Sequence, residues 1–244
     1  MSEPDSRPAY YAARSDGWRA WWTLLHPPYT AWHLSYVVIG AALAPHVDLT
    51  RLLATLLAFF AAVGLGAHAL DELHGRPLRT HIPSAVLVAV TVAGLTAGVA
   101  LGVAGTARVG WLLVPFIVAG PLLVVAYNAE LFGGIVHTDV GFAVAWGAFP
   151  LLTAYVAQAD RLGLAAVLGA VAAFAVSYAQ RSLSAPARLL RRHVTTVRGS
   201  MTLDDGTTRA LDETVLRAPL ERALGAMSWG LIALATALAV ARLR

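Results

Sequence analysis

The chain has 244 residues, of which 58% are hydrophobic and only 13% charged. That much apolar surface exceeds what one soluble core can bury and needs lipid, which excludes an ordinary soluble domain. The net charge of +4 comes from arginine alone, with no lysine and no cysteine, so a retinal Schiff base, disulfides, thiolate metal sites and thiol nucleophiles are also excluded.

Residues 1–28 are polar and aromatic without an apolar core segment, so no signal peptide is expected there. The stretch DGWRAWWTLLHPP reads as an interfacial element: Trp18, Trp21 and Trp22 suit the headgroup belt, and Pro27–Pro28 breaks the chain before the first span. A span needs about 20 apolar residues. Seven segments meet or approach that length: 30–46, 51–70, 84–104, 109–127, 140–158, 162–180 and 222–241. Frequent Gly and Ala, as in VAGLTAGVALGVAG, permit close helix packing in lipid. The expected fold is therefore all-α: one polytopic transmembrane bundle over 29–244, preceded by the interfacial segment 1–28.

Between the sixth and seventh spans, residues 181–220 form a basic polar segment. SAPARLLRRHVTTVRG is expected to form an interfacial helix after Pro186, with Leu189, Leu190 and Val194 towards lipid, and DDGTTRALDE to follow as a turn and polar chain. Arginines give the orientation. Arg7, Arg14 and Arg19 precede the first span, Arg76 and Arg79 follow the second, and Arg181, Arg188, Arg191, Arg192, Arg198, Arg209 and Arg217 follow the sixth. The other side holds Arg51, Arg108, Arg161, Arg242 and Arg244. The positive-inside bias puts the N-terminus in the cytoplasm of a prokaryotic-type membrane, so that the ends of the second, fourth and sixth spans share the cytoplasmic face. No soluble basic face interleaved with aromatics exists, which argues against nucleic acid.

Three groups at that face could carry chemistry. His68, Asp71 and Glu72 stand at i, i+3 and i+4 at the end of the second span, where they share a helix face suited to a divalent metal or to the magnesium of a diphosphate. The same arrangement is also that of a solvated helix end. His74 and Arg76 follow where Gly75–Arg76–Pro77 turns the chain back. Tyr127 and Asn128 close the fourth span, and the loop after them brings Glu130, His137 and Asp139 to the same side. Arg181 ends the sixth span with Tyr178 one turn before it and Arg188 beyond. Guanidinium groups match phosphate bidentately, although an arginine there also serves as a topological anchor.

The stretches LLHPPYTAWHLSYVVIGAALAP, HALDELHGRPLRTHIPSA and YNAELFGGIVHTDVGFAVAWGAFP resemble, in turn, the first span, the first aspartate-rich region and the fourth-to-fifth connection of the UbiA-type intramembrane prenyltransferases. The resemblance runs over most of 24–181 and allows up to nine helices. It departs from the family pattern in two places. Asp71 alone occupies an aspartate position, with Ala67 and Gly64 where others would fall, and SYAQRSLSAPARLL holds no acid at all.

The resemblance implies a cytoplasm-facing polar cavity and an enzyme that handles an isoprenoid diphosphate or related lipid, by prenyl transfer or diphosphate elimination. Asp71, Glu72, Arg76 and Arg181 would be its catalytic residues. His68, His74, Tyr127, Asn128, Tyr178 and Arg188 would bind substrate, and Mg2+ would sit on Asp71, Glu72 and His68. Two other readings stay open at this point: a non-catalytic lipid-binding or partner subunit that has lost the aspartate motifs, and a His/carboxylate metal enzyme.

Overall fold

A computed structural model describes residues 9, 11, 12 and 17–242. Arg7, Arg14 and Arg244 of the orientation argument, with the rest of 1–16, lie outside the described residues. The first helix, α1 (Gly17–Leu25), turns only part of its tryptophans outward. Trp18 and Trp22 are exposed, whereas Trp21 packs against a cluster of Leu24, Ala69, Leu78 and Ile82.

Pro27 and Pro28 do not separate α1 from the first span by a break. They are the first residues of α2 (Pro27–Leu43), where a missing N–H costs nothing because those donors have no intrahelical partner. The change of direction falls instead on His26, whose φ is 46°. With 17 residues α2 is short, and its middle is buried at Trp32, Tyr36 and Val37.

Among the described residues six helices are long and apolar enough to cross a membrane: α3 (Leu49–Leu73), α4 (Ser84–Val109), α5 (Trp111–Asn128), α6 (Asp139–Ala159), α7 (Leu164–His193) and α8 (Glu213–Arg242). The described chain is thus mostly helical, and its six apolar helices fit a multi-pass membrane bundle. Two of these helices widen in mid-course into π-helical turns, Phe60–Ala67 in α3 and Val144–Ala148 in α6. Such turns are uncommon and gather at functional sites. The first is held by a close approach of backbones. A Cβ on Gly94 of α4 would stand 2.3 Å from the Ala61 carbonyl oxygen and 3.0 Å from the Gly66 nitrogen, so only glycine fits there.

The sixth span does not end at 180. Helix α7 continues through Pro186 to His193, so the expected separate interfacial helix does not form. The proline forfeits one helical hydrogen bond, but the buried stripe Ser177, Gln180, Ser184 and Ala187 runs straight through it and keeps that face packed. Beyond α7, the polar chain folds into a hairpin of β1 (Gly199–Thr202) and β2 (Thr208–Leu211). Gly206 supplies the left-handed turn position at φ 81°, and the Asp205 carboxylate accepts from the Thr207 backbone N–H and hydroxyl. The last helix begins at Glu213, nine residues before the expected 222.

The far end of the bundle is fastened by two arginines. Arg51 donates to the carbonyls of Ala157, Gln158 and Arg108, the last turns of α6 and α4. Arg242 does the same for Ala44 and Pro45 at the end of α2. Cations at helix C-termini satisfy orphan carbonyls and oppose the helix dipole.

Candidate functional site

At the opposite end, α2, α3, α5, α6, α7 and α8 surround a polar cavity of about 500 Å³. Of the residues singled out in the sequence, His68, Asp71, His74, Tyr127, Asn128, Arg181 and Arg188 all line it. They come from three helices and the loops that end them, and their convergence follows from the alternation of the spans.

Three others are not brought in. Glu72 is fully buried but turned away from the cavity: its oxygens accept from the backbone N–H groups of Leu78 and Thr80 and from the Thr80 hydroxyl, at 2.8–2.9 Å. On a helix, consecutive residues point about 100° apart, so Asp71 takes the cavity and Glu72 the loop. Arg76, with φ 53°, braces that same loop by donating to the Ile82 carbonyl and the Ser84 hydroxyl, both at 2.6 Å. Tyr178 lies on the outside of α7, stacked on Phe174. The set Asp71, Glu72 and His68 therefore does not converge on one metal position, and no group of three or more His, Asp or Glu able to hold a metal occurs among the described residues.

Arg181 is held in place from two sides. Its Nε donates to Asp139 Oδ1 at 3.2 Å, and its Nη2 lies 3.3 Å from His137 Nε2. His137 in turn donates from Nδ1 to the Tyr127 carbonyl at 2.9 Å, which leaves Nε2 as the acceptor that Arg181 needs. The imidazole also stacks on Tyr127, with ring centroids 4.4 Å apart. Farther along α7, Arg191 grips Glu221 of α8 bidentately at 2.8 and 2.9 Å and closes one wall. Arg188 stands between these two pairs, within electrostatic reach of Arg181, Arg192, Tyr29 and Tyr127. Asp71 lies within electrostatic reach of Arg188, Arg192, His137 and Glu72. Neither Arg188 nor Asp71 makes a hydrogen bond or ion pair among the described residues.

The sequence reading did not single out several further lining residues. His26 and His33 bracket the start of α2. His33 donates to the Trp146 carbonyl at 2.8 Å, and the His26 ring meets that of His68 at a tilt of 34° with centroids 4.5 Å apart. His26 also shares its Nδ1 with the Tyr11 hydroxyl. Burial, and after it the neighbouring His68, holds it well below the usual histidine value. Gln180 is the third. It could have been found from Ser177, Gln180, Ser184 and Arg188, a polar line at helical spacing in an otherwise apolar helix.

Three buried side-chain atoms lack a hydrogen-bond partner among the described residues: His26 Nε2, the Tyr127 hydroxyl and Gln180 Oε1. All three belong to residues that line this cavity. Buried polar groups are ordinarily paired, because an unpaired one costs about 1–3 kcal/mol. A cavity that collects every such atom is prepared for polar contents.

A second cavity of about 380 Å³ adjoins the first. It is lined almost wholly by apolar residues of α3, α4, α5 and α6. Val63 and Trp146 line both cavities, and each lies in one of the two π-helical turns. Comparison with models of protein families, with curated proteins and with solved structures gives no significant match.

Proposed function

We propose that this chain is a UbiA-like integral membrane enzyme that acts on an isoprenoid diphosphate or a related lipid, by prenyl transfer or diphosphate elimination. The observation that carries this reading is the pairing of a cationic, unsaturated polar cavity with an apolar one across the shared wall of Val63 and Trp146. An amphipathic ligand with an anionic head and a hydrocarbon tail fits that pair.

The head would be met by guanidinium groups. Arg188 is uncommitted to any carboxylate among the described residues, and Arg181 is pre-oriented by Asp139 and His137. Both can neutralise charge that develops on a departing diphosphate. The Tyr127 hydroxyl adds a neutral donor beside them. Asp71 is the cavity's carboxylate from the aspartate-like stretch, and Glu72 and Arg76 act at one remove by holding the loop 74–84 against α3. The arginine distribution supports a cytoplasmic opening of the cavity and a cytoplasmic N-terminus.

Purified protein in lipid nanodiscs, given a prenyl diphosphate, tests this. Binding is expected to survive chelation of divalent ions in large part and to weaken about tenfold or more in Arg188→Ala, since a charged hydrogen bond contributes roughly 1.5–3 kcal/mol. Release of diphosphate identifies an enzyme. Binding without release, even when a membrane lipid extract supplies nucleophilic acceptors, identifies a lipid-binding subunit. Binding that is abolished by chelator and indifferent to Arg188 and Arg181 would overturn the guanidinium site.

A further inference from the structure

We infer that the apolar cavity is the seat of the isoprenoid tail and that its depth, ending at the Arg51 clamp, sets the tail length the protein accepts. This rests on the isoprenoid diphosphate reading for the identity of the ligand, and on separate geometry for the length.

The cavity has a defined head end and a defined far end. At the head end stands Trp146, whose ring meets that of Tyr127 edge-on at 5.6 Å. Tyr127 is nearly fully buried, and its hydroxyl is one of the three unpartnered polar atoms of the polar cavity. At the far end the lining residues include Thr50, Arg51 and Arg108. There the Arg51 guanidinium ties α3 to the ends of α4 and α6, so a tail that reaches this point meets a charged and hydrogen-bonded floor. A hydrocarbon end has no favourable way past it. From Thr50 to Val63 along α3 the distance is about 20 Å.

The wall between these ends is graduated. Thr50, Ala54, Ala58 and Ala62 recur every four residues on α3, and all four line the cavity. Each step is about 6 Å along the helix axis. Small side chains at these positions leave the room, and a large one would block the cavity at a chosen depth. On the facing helix α5, a Cβ at Gly120 would touch only the Phe149 ring, at an ordinary 3.6 Å.

The test is a binding series in lipid nanodiscs: inorganic diphosphate, prenyl diphosphates of increasing tail length, and the corresponding free alcohols. In the wild type, affinity should rise with each added isoprene unit up to a limit and fall tenfold or more beyond it. Ala54→Leu, Ala58→Leu and Ala62→Leu should lower that limit progressively in this order, while inorganic diphosphate binds all of them alike. Gly120→Val blocks from the opposite wall and should also shorten the limit, which keeps the test intact if a leucine on α3 impairs folding. A length profile that is flat in the wild type, or the same in every variant, overturns the proposal. If inorganic diphosphate fails to bind but the alcohols keep a length limit that moves with the variants, the diphosphate head is wrong and the tail site stands.

Discussion

Asp71 and Glu72 are adjacent in the chain and serve opposite purposes. Asp71 lies within electrostatic reach of the arginines of the cavity, and Glu72 is sealed against the backbone of Leu78 and Thr80. Glu72→Gln replaces an acceptor-only carboxylate by an amide that turns an N–H towards one of three donors. A loss of about 3 kcal/mol is expected, because hydrogen bonds to charged groups and unpaired buried donors each cost on the order of 1–3 kcal/mol. Asp71→Asn should leave the melting temperature nearly unchanged and alter ligand binding instead. Thermal unfolding of the two variants in detergent checks this, and equal melting temperatures would sink the division of roles.

Arg191 and Glu221 form the tightest interhelical ion pair described in the bundle, with the Arg191 side chain only 4% exposed. Glu221→Gln removes a carboxylate charge that serves both the buried Arg191 guanidinium and Arg217, and about 3 kcal/mol of stability should go with it. Replacing both partners by apolar residues of similar size, Arg191→Met with Glu221→Leu, should recover much of the loss. A double variant no more stable than Glu221→Gln would show that the pair stabilises beyond mutual neutralisation.

His26 gives the fold a pH dependence of known sign. Its folded-state pKa lies well below the ordinary 6.5, first because it is buried and then because His68, Arg192 and Arg188 disfavour its charge. The unfolded chain takes up a proton near 6.5 while the folded one does not. Stability is therefore lost as pH falls from 6.5 towards the lowered value, by at most about 1.4 kcal/mol per pH unit for one group. Melting temperatures between pH 7.5 and 5 should show this slope, and His26→Gln should make it shallower by one group's share. A slope unchanged by the substitution would assign the effect to another group.

Orientation is testable without background, because the chain has no cysteine. Single cysteines at Arg79, Ala129 and Thr207 lie in the loops at the cavity end of the bundle and should resist an impermeant thiol reagent applied to intact cells. Labelling of all three from outside would invert the orientation proposed from the arginines.

The sequence by itself determined the membrane class and which chain ends meet. Lipid-length apolar runs are legible in composition, and a chain that crosses and returns must gather every second turn on one side. Asp71, Tyr127, Asn128, Arg181 and Arg188 could therefore be assigned to one end before any coordinates. Tertiary structure decided which way each helix is turned. In a helix apolar on all sides, no amphipathic period marks the inward face. On α3 the choice of Asp71 over Glu72 fell instead to packing such as the approach of Gly94 to Ala61, whereas on α7 the polar line of Ser177, Gln180, Ser184 and Arg188 already marks the side that Arg181, one turn from Ser177, shares. Packing likewise carried α7 through Pro186 and opened the π-helical turns that set Val63 and Trp146 between the two cavities. Those features depend on contacts between distant segments, and no local pattern in the sequence encodes them.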